Sequence, residues 1–472
     1  MGVCGARMAW RRLKDRIRAK ESEMNGKFLW LGRALCVTVV CLAFASSAAA
    51  EVVIFADANL EAAVRARLGI PAPTPVTRGD MLGLLGGFGA SYKNIQFLDG
   101  IEHATNISEL GMIVNQISDI TPLGALTNLI GLELLHNEIN DIAPVAGLVK
   151  LKWLHLDWNQ IGDITPVAGL VNLWSLELGT NQIRDIAPVA GLMNLTVLGL
   201  AQNQVSDISP VAGLTSLLSL FLGENQISDM SPVAGLANLL TLHLGANQIS
   251  DISPVAGLTH LRTLSLGGNQ ISDISPVAGL TNLEELSLCD NQISDIAPLT
   301  GLTRLWELYL FGNNIQTMDL RGANVASLRY FSIEGNPLRH VLLSDVTFSQ
   351  RAFDAVLGSV AMVSGVQTLD LSGVDFATVS DFSAMYEMDD LWKLLLVDAT
   401  NLPGGRVVTL AEELDSLSWL NVTGLWDSFD AGSQAALWAW DAIPGNTLIT
   451  PEPASLGLLA LGGLGMLRRR RV

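Results

Sequence analysis

Nine aspartates recur at an interval of 22 residues: Asp119, Asp141, Asp163, Asp185, Asp207, Asp229, Asp251, Asp273 and Asp295. Stacked about 5 Å apart, one per structural repeat, such carboxylates would repel by on the order of 1 kcal/mol per neighbour in a water-like medium. Two arrangements relieve that repulsion. Each carboxylate can accept backbone N–H bonds from the turn that follows it, or calcium can bridge neighbouring carboxylates. Turn capping is the expectation, and calcium stays open as a possible cofactor. Other chemistry is sparse: no Gly-rich phosphate loop, Cys-x-x-Cys or His-Glu-x-x-His occurs. The histidines (His103, His136, His155, His243, His260 and His340) are scattered. His136 and His155 fall in adjacent repeats, but two ligands without a third make a weak zinc site. Glu412, Glu413 and Asp415 lie close together near the end, with no acid–base geometry that can be argued. An enzyme is not expected.

The elements that must position these groups follow from the same period. Asparagines recur every 22 residues from Asn115 to Asn313, each within L-x-x-L-x-L-x-x-N-x-I, as in Leu151, Leu154, Leu156, Asn159 and Ile161. A D-I-x-P-V-A-G-L segment follows, as from Asp251 to Leu258. The L-x-L pair alternates as a short strand should, with both leucines inward. The asparagine amide suits orphan backbone groups where the strand bends. Asp, Pro and Gly then shape a tight return, expected as a 3₁₀ turn. One unit cannot bury its own leucines, whereas stacked units share a continuous core, so the repeat dictates a solenoid with one parallel sheet.

Strand alternation also names the solvent-facing positions on the expected concave face. Toward one end they are Gly131, Glu133, Trp153, His155, Asp157, Trp158, Ser175, Glu177, Phe221 and His243. Toward the other are Thr263, Ser265, Glu285, Ser287, Glu307, Tyr309 and Phe311, and Gly199, Ala201, Gly223, Gly245 and Gly267 smooth the middle. From these, Glu133, Trp153, His155, Asp157, Trp158, Glu177, Phe221, Tyr309 and Phe311 form the candidate ligand-binding set. Exposed aromatics are enriched at interaction anchors. The competing reading has Trp153 or Trp158 folded over neighbouring coils.

Charge narrows the partners. Between residues 51 and 467 there are 43 acidic and 15 basic residues, a net of −28. Such a field favours solubility and repels phosphate-rich partners, so no nucleic acid is expected. Cys289 is the one cysteine beyond residue 50, which leaves no internal disulfide. It reads as a small packed side chain rather than a reactive thiol.

The 22-residue unit N-Q-I-S-D-I-S-P-V-A-G-L-T-x-L resembles that of the internalin-type leucine-rich-repeat proteins. The stretch from Phe55 to Leu123 resembles their helical N-terminal cap. Its own residues read the same way. Leu60, Ala63, Val64 and Leu68 make one helical face that Gly69 stops, and Thr77 with Asp80 makes a capping box for a second helix. The resemblance spans about 55–340 and implies the fold and a protein-binding habit. Past Asn336 the period fails. The segments 366–371, 391–396 and 417–422 still look like repeat strands, and a helix is expected from Phe348 to Val360.

Both ends look like addresses. Lys27 and Arg33 precede an apolar run to Ala45 and a small-residue site at Ala48-Ala49-Ala50, as in a secretory signal peptide, with Met24 an alternative start. At the other end Pro451-Glu452-Pro453 precedes an apolar stretch and then Arg468, Arg469, Arg470 and Arg471, which resembles the PEP-CTERM sorting signal. That resemblance implies an exosortase-type sorting enzyme as partner. A plain C-terminal membrane anchor is the alternative, and the membrane is met only through this tail.

The expected fold class is an α/β repeat solenoid: a leucine-rich-repeat horseshoe with a parallel concave sheet, a helical cap and degenerate, helix-containing C-terminal repeats. The expected organisation is a signal peptide over 1–50, the cap over 51–105, regular repeats over 106–336, degenerate repeats over 337–445 and the sorting tail over 446–472. The expected function is exported binding or scaffolding at the cell surface or in the extracellular matrix, with a protein or glycan as ligand. The alternative is a structural component of an extracellular polymer layer.

Overall fold

The structure, a computed structural model, describes residues 51–450. Its unit is a flattened coil whose apolar residues all point inward. In one coil Leu151, Leu154, Leu156, Ile161, Ile164, Val167 and Leu170 are buried, and the same pattern repeats from coil to coil. The strand Trp153–His155 forms one side, and the 3₁₀ turn Thr165–Gly169, with proline in its first turn, forms the return. Proline suits that position because it presents no N–H and its φ is already set. The resulting core runs unbroken through the described residues.

Twelve parallel strands make the first sheet, from Gly86–Gly89 to Tyr330–Ser332. The first of them lies inside the span read as the cap. Leu132, Leu154, Leu176, Leu198 and Leu220 pair in register along it, so leucine stacks on leucine. The asparagines weld the coils together. Asn159 donates to the carbonyls of Leu156 (2.9 Å) and of Leu134 in the preceding coil (3.0 Å), and accepts from the Ile139 N–H (3.0 Å). One side chain thus satisfies buried backbone groups of two coils, the role its amide was expected to play.

The residue before each of these ten asparagines is left-handed, with φ between +50° and +69°, yet eight of the ten are not glycine. Val114, Trp158 and Thr180 stand among them. Side-chain-bearing residues adopt this region at a cost of about 1–2 kcal/mol. The bend from strand to asparagine demands it regardless of the side chain. The aspartate column caps its own turns, as in Asp163 Oδ1 accepting the Thr165 N–H at 2.8 Å, and all nine aspartates do the same.

The N-terminal end is closed as read from the residues. Helix Ala58–Leu68 is capped by Asp57, buries Leu60 and Val64, and ends at left-handed Gly69. The Thr77–Asp80 capping box is present on a helix of four residues, Arg78–Met81.

The C-terminal part departs from a simple continuation. Strands do occur at Thr368–Asp370, Lys393–Leu395 and Trp419–Asn421, within the three expected segments. They do not prolong the first sheet. With Thr317–Asp319, His340–Leu342 and Thr447–Ile449 they form a second parallel sheet of six strands. The second sheet starts in the extended stretch that follows Asn313 and Asn336, where Thr317–Asp319 and His340–Leu342 lie. In earlier coils that stretch carries single bonds, such as Gln160 N–H to Ile139 O. Longer coils make room for helices Gln350–Ala361, Ser383–Tyr386, Gly404–Glu413 and Ala431–Asp441. The first of these packs on the terminal strand Tyr330–Ser332, where Ser359 Oγ accepts from the Ile333 N–H and donates to Glu334. An edge that would otherwise expose unpaired backbone is covered.

Candidate functional site

The candidate residues occupy the solvent face of the first sheet, and lateral register decides which of them meet. Glu133, His155 and Glu177 stand side by side on three successive strands, followed by Gly199, Phe221 and His243. One level down, Gly131, Trp153 and Ser175 are partners. Six of the candidates, Glu133, Trp153, His155, Asp157, Trp158 and Glu177, therefore share one patch. Phe221 lies next to it, edge-on to His243 with ring centres 5.1 Å apart. Tyr309 and Phe311 lie several coils away, where Tyr309 donates to Glu307 at 3.2 Å.

Both readings of the tryptophans hold in part. Trp153 is half-buried and lies across Gly131, where a Cβ would overlap its indole. Trp158 sits just beyond the strand rather than on it, left-handed and 50% exposed, and stacks on His136 of the preceding coil at 4.7 Å. Trp174, absent from the candidate set, is 44% exposed and tilts against Trp153 at 6.2 Å. Its signal was available, since a tryptophan directly before a strand at an otherwise variable position is an exposed aromatic. The two histidines of adjacent coils go separate ways, because His155 Nε2 pairs with Ser175 Oγ at 3.0 Å while His136 takes the indole. Ser175, read as facing solvent, is buried beneath these neighbours.

The electrostatics of the patch are unusual for an exposed sheet. Glu177 lies over Gly199, so its carboxyl rests against backbone rather than reaching into water. Burial pushes this carboxyl up to about 7, and neighbouring Asp157 adds to the effect. Burial also raises Asp157, against the hydrogen bond it accepts from the Gly179 N–H at 2.8 Å. Burial holds His155 below its ordinary value, against the charges of Glu133 and Asp157. Near neutrality the patch therefore carries uncharged imidazole and a partly protonated glutamate beside aromatic rings.

Next to it is a recess of about 220 Å³ that the sequence did not disclose. Gly89, Gly111 and Gly131 form its floor, Glu109 and Glu133 its carboxylates, and Trp153 a wall. Among the described residues no group of three or more His, Cys, Asp or Glu is placed to hold a metal ion. In the aspartate column Oδ1 is engaged by backbone N–H groups. Among the described residues no helix is long and apolar enough to cross a membrane. The signal-peptide reading of 1–50 and the tail from Pro451 to Arg471 lie outside the described residues.

Known proteins agree with this geometry. Residues 194–235 and 237–279 match the family described as Leucine Rich repeats (2 copies), and 259–315 match Leucine rich repeat. Residues 450–471 match the PEP-CTERM protein-sorting motif. An internalin (inlF) from Listeria monocytogenes is 32% identical, with 72% of this chain and 95% of that one covered and a TM-score of 0.57. An internalin C2 (inlC2) from the same species is 40% identical over 46% of this chain and 95% of that one, TM-score 0.43. A TDR receptor, 19% identical over 79% of this chain and 64% of that one with a TM-score of 0.54, shares the fold alone. No curated protein matches. With a solenoid built on the same repeat and an internalin matched over nearly its whole length, the chain belongs to the internalin-type leucine-rich-repeat proteins and carries a PEP-CTERM sorting motif, the mark of an exported, surface-associated bacterial protein.

Proposed function

We propose that the chain is a non-catalytic binding protein of the cell surface or extracellular matrix, and that Glu133, Trp153, His155, Asp157, Trp158 and Glu177 seat its protein or glycan partner. The observation that carries this reading is the conjunction of half-exposed Trp153 and Trp158 with carboxylates, beside a glycine-floored recess that Trp153 walls. Flat rings beside carboxylates suit a sugar ring or a basic peptide side chain. Phe221, Tyr309 and Phe311 extend the surface toward the far end. Two addresses support export: the N-terminal segment reads as a signal peptide, and an exosortase-type enzyme is the proposed reader of Pro451-Glu452-Pro453.

The test is an array of glycans and surface proteins probed with the purified chain and with Trp153→Ala/Trp158→Ala. A hot-spot aromatic typically contributes 2 kcal/mol or more to binding, so a true partner should weaken at least tenfold. Melting should fall only modestly, since Trp158 is half exposed. A partner that binds wild type and variant alike would move the site elsewhere. A chain that retains no partner but stiffens a polymer layer would favour the structural alternative.

A further inference from the structure

The first sheet ends at Tyr330–Ser332 and helix Gln350–Ala361 takes the place of the next coil's strand, so the corner between them does not close. A recess of about 480 Å³ remains there, on the flank of the solenoid rather than on the sheet's solvent face. Trp306, Arg329 and Arg351 line it together with Ser327 and Ser349, and no acidic residue does. In a region with a net charge of −28, two arginines on one recess are a local reversal of sign. Among the described residues neither makes an ion pair, whereas Arg262 and Arg321 both do. Arg351 lies over the Tyr330 ring at 5.8 Å, and Tyr330 meets Trp306 edge-on at 6.2 Å. Ser349 is not free to bind, since its hydroxyl caps the helix and donates to the Ala326 carbonyl.

We propose that this recess binds a single carboxylated sugar ring, a uronate at a chain end or branch. Guanidinium groups are forks matched to carboxylates, and unpaired ones facing a recess are poised for that contact. The volume is that of a small-ligand site and exceeds what an isolated acidic side chain would fill. Trp306, on the wall of the recess, offers flat apolar surface to the C–H face of a pyranose. A long polyanion is disfavoured, because the acidic surface around the recess repels every further charge.

The experiment titrates digalacturonate into the purified full-length chain by calorimetry, with maltose as the neutral control and triglutamate as the peptide control. Digalacturonate should bind, and added salt should weaken it. Arg329→Gln/Arg351→Gln should weaken it at least tenfold with unchanged melting, because both side chains are exposed. Arg329→Lys/Arg351→Lys should recover only part of the affinity, since lysine keeps the charge but not the fork. Trp153→Ala on the sheet face should leave it unchanged. Equal binding by wild type and the glutamine variant, equal binding of maltose, no uronate binding at millimolar concentration, or binding of triglutamate alone would each overturn the proposal.

Discussion

Glu177→Gln offers the sharpest test of the patch, because it removes one titration and little else. In the folded chain burial and Asp157 raise this carboxyl from the ordinary 4.5 to about 7. Below pH 4.5 both folded and unfolded chains hold the proton, and the residue contributes no pH dependence. Between 4.5 and 7 the unfolded chain ionises while the folded chain stays protonated, so stability falls as pH rises. Above 7 both are ionised and the penalty levels off. At about 1.4 kcal/mol per pH unit the full shift would be worth roughly 3 kcal/mol. The carboxyl is only half-buried, and solvent screening reduces this to about 1–2 kcal/mol. Glutamine keeps the shape over Gly199 without the charge. Urea unfolding of both chains at pH 4.5, 6, 7 and 8 should give a stability difference near zero at the acid end. It should rise in the variant's favour to a plateau above pH 7. Asp119, Asp163, Asp207, Asp251 and Asp273, held low by the hydrogen bonds of their turns, titrate alike in both chains and cancel. A difference that is flat across the range, or a variant less stable at pH 8, would refute the burial argument.

Three further outcomes follow from the packing and the tail. Leu242→Ala or Leu264→Ala, both fully buried in register, should cost roughly 2–5 kcal/mol, with adjacent coils losing amide protection first in hydrogen exchange; a loss below about 0.5 kcal/mol at both would contradict their inward placement. Val114→Gly should stabilise by about 0.5–1 kcal/mol in denaturant unfolding, because it relieves a left-handed β-branched residue that is 37% exposed, although glycine's entropy and the lost contacts offset part of the gain. Mass spectrometry of the native surface material should recover no peptide containing Met466 or the arginine run; an intact tail there would favour a plain anchor instead.

Sequence alone determined whatever repeats. The 22-residue period set the coil, and the alternation of leucines set which side chains point into the core. The recurring asparagine and aspartate announced their roles, because each serves backbone groups at fixed offsets in chain or coil. Internal pairings of this kind need no knowledge of distant neighbours. Other features did not follow from it. Sequence showed where strands recur past Asn336 but not that they pair into a second sheet, since pairing depends on which side of the longer coil they occupy. The stack of Trp158 on His136, and the reach of Glu177 over Gly199, depend on what stands one coil away in space. Both recesses arise likewise where neighbouring coils leave a gap: at glycines near the first strands, and at the helix that replaces a strand beside Trp306. A period specifies the contacts that every coil makes with the next. A site arises where one coil differs from its neighbours, and its shape is decided only when those coils are stacked.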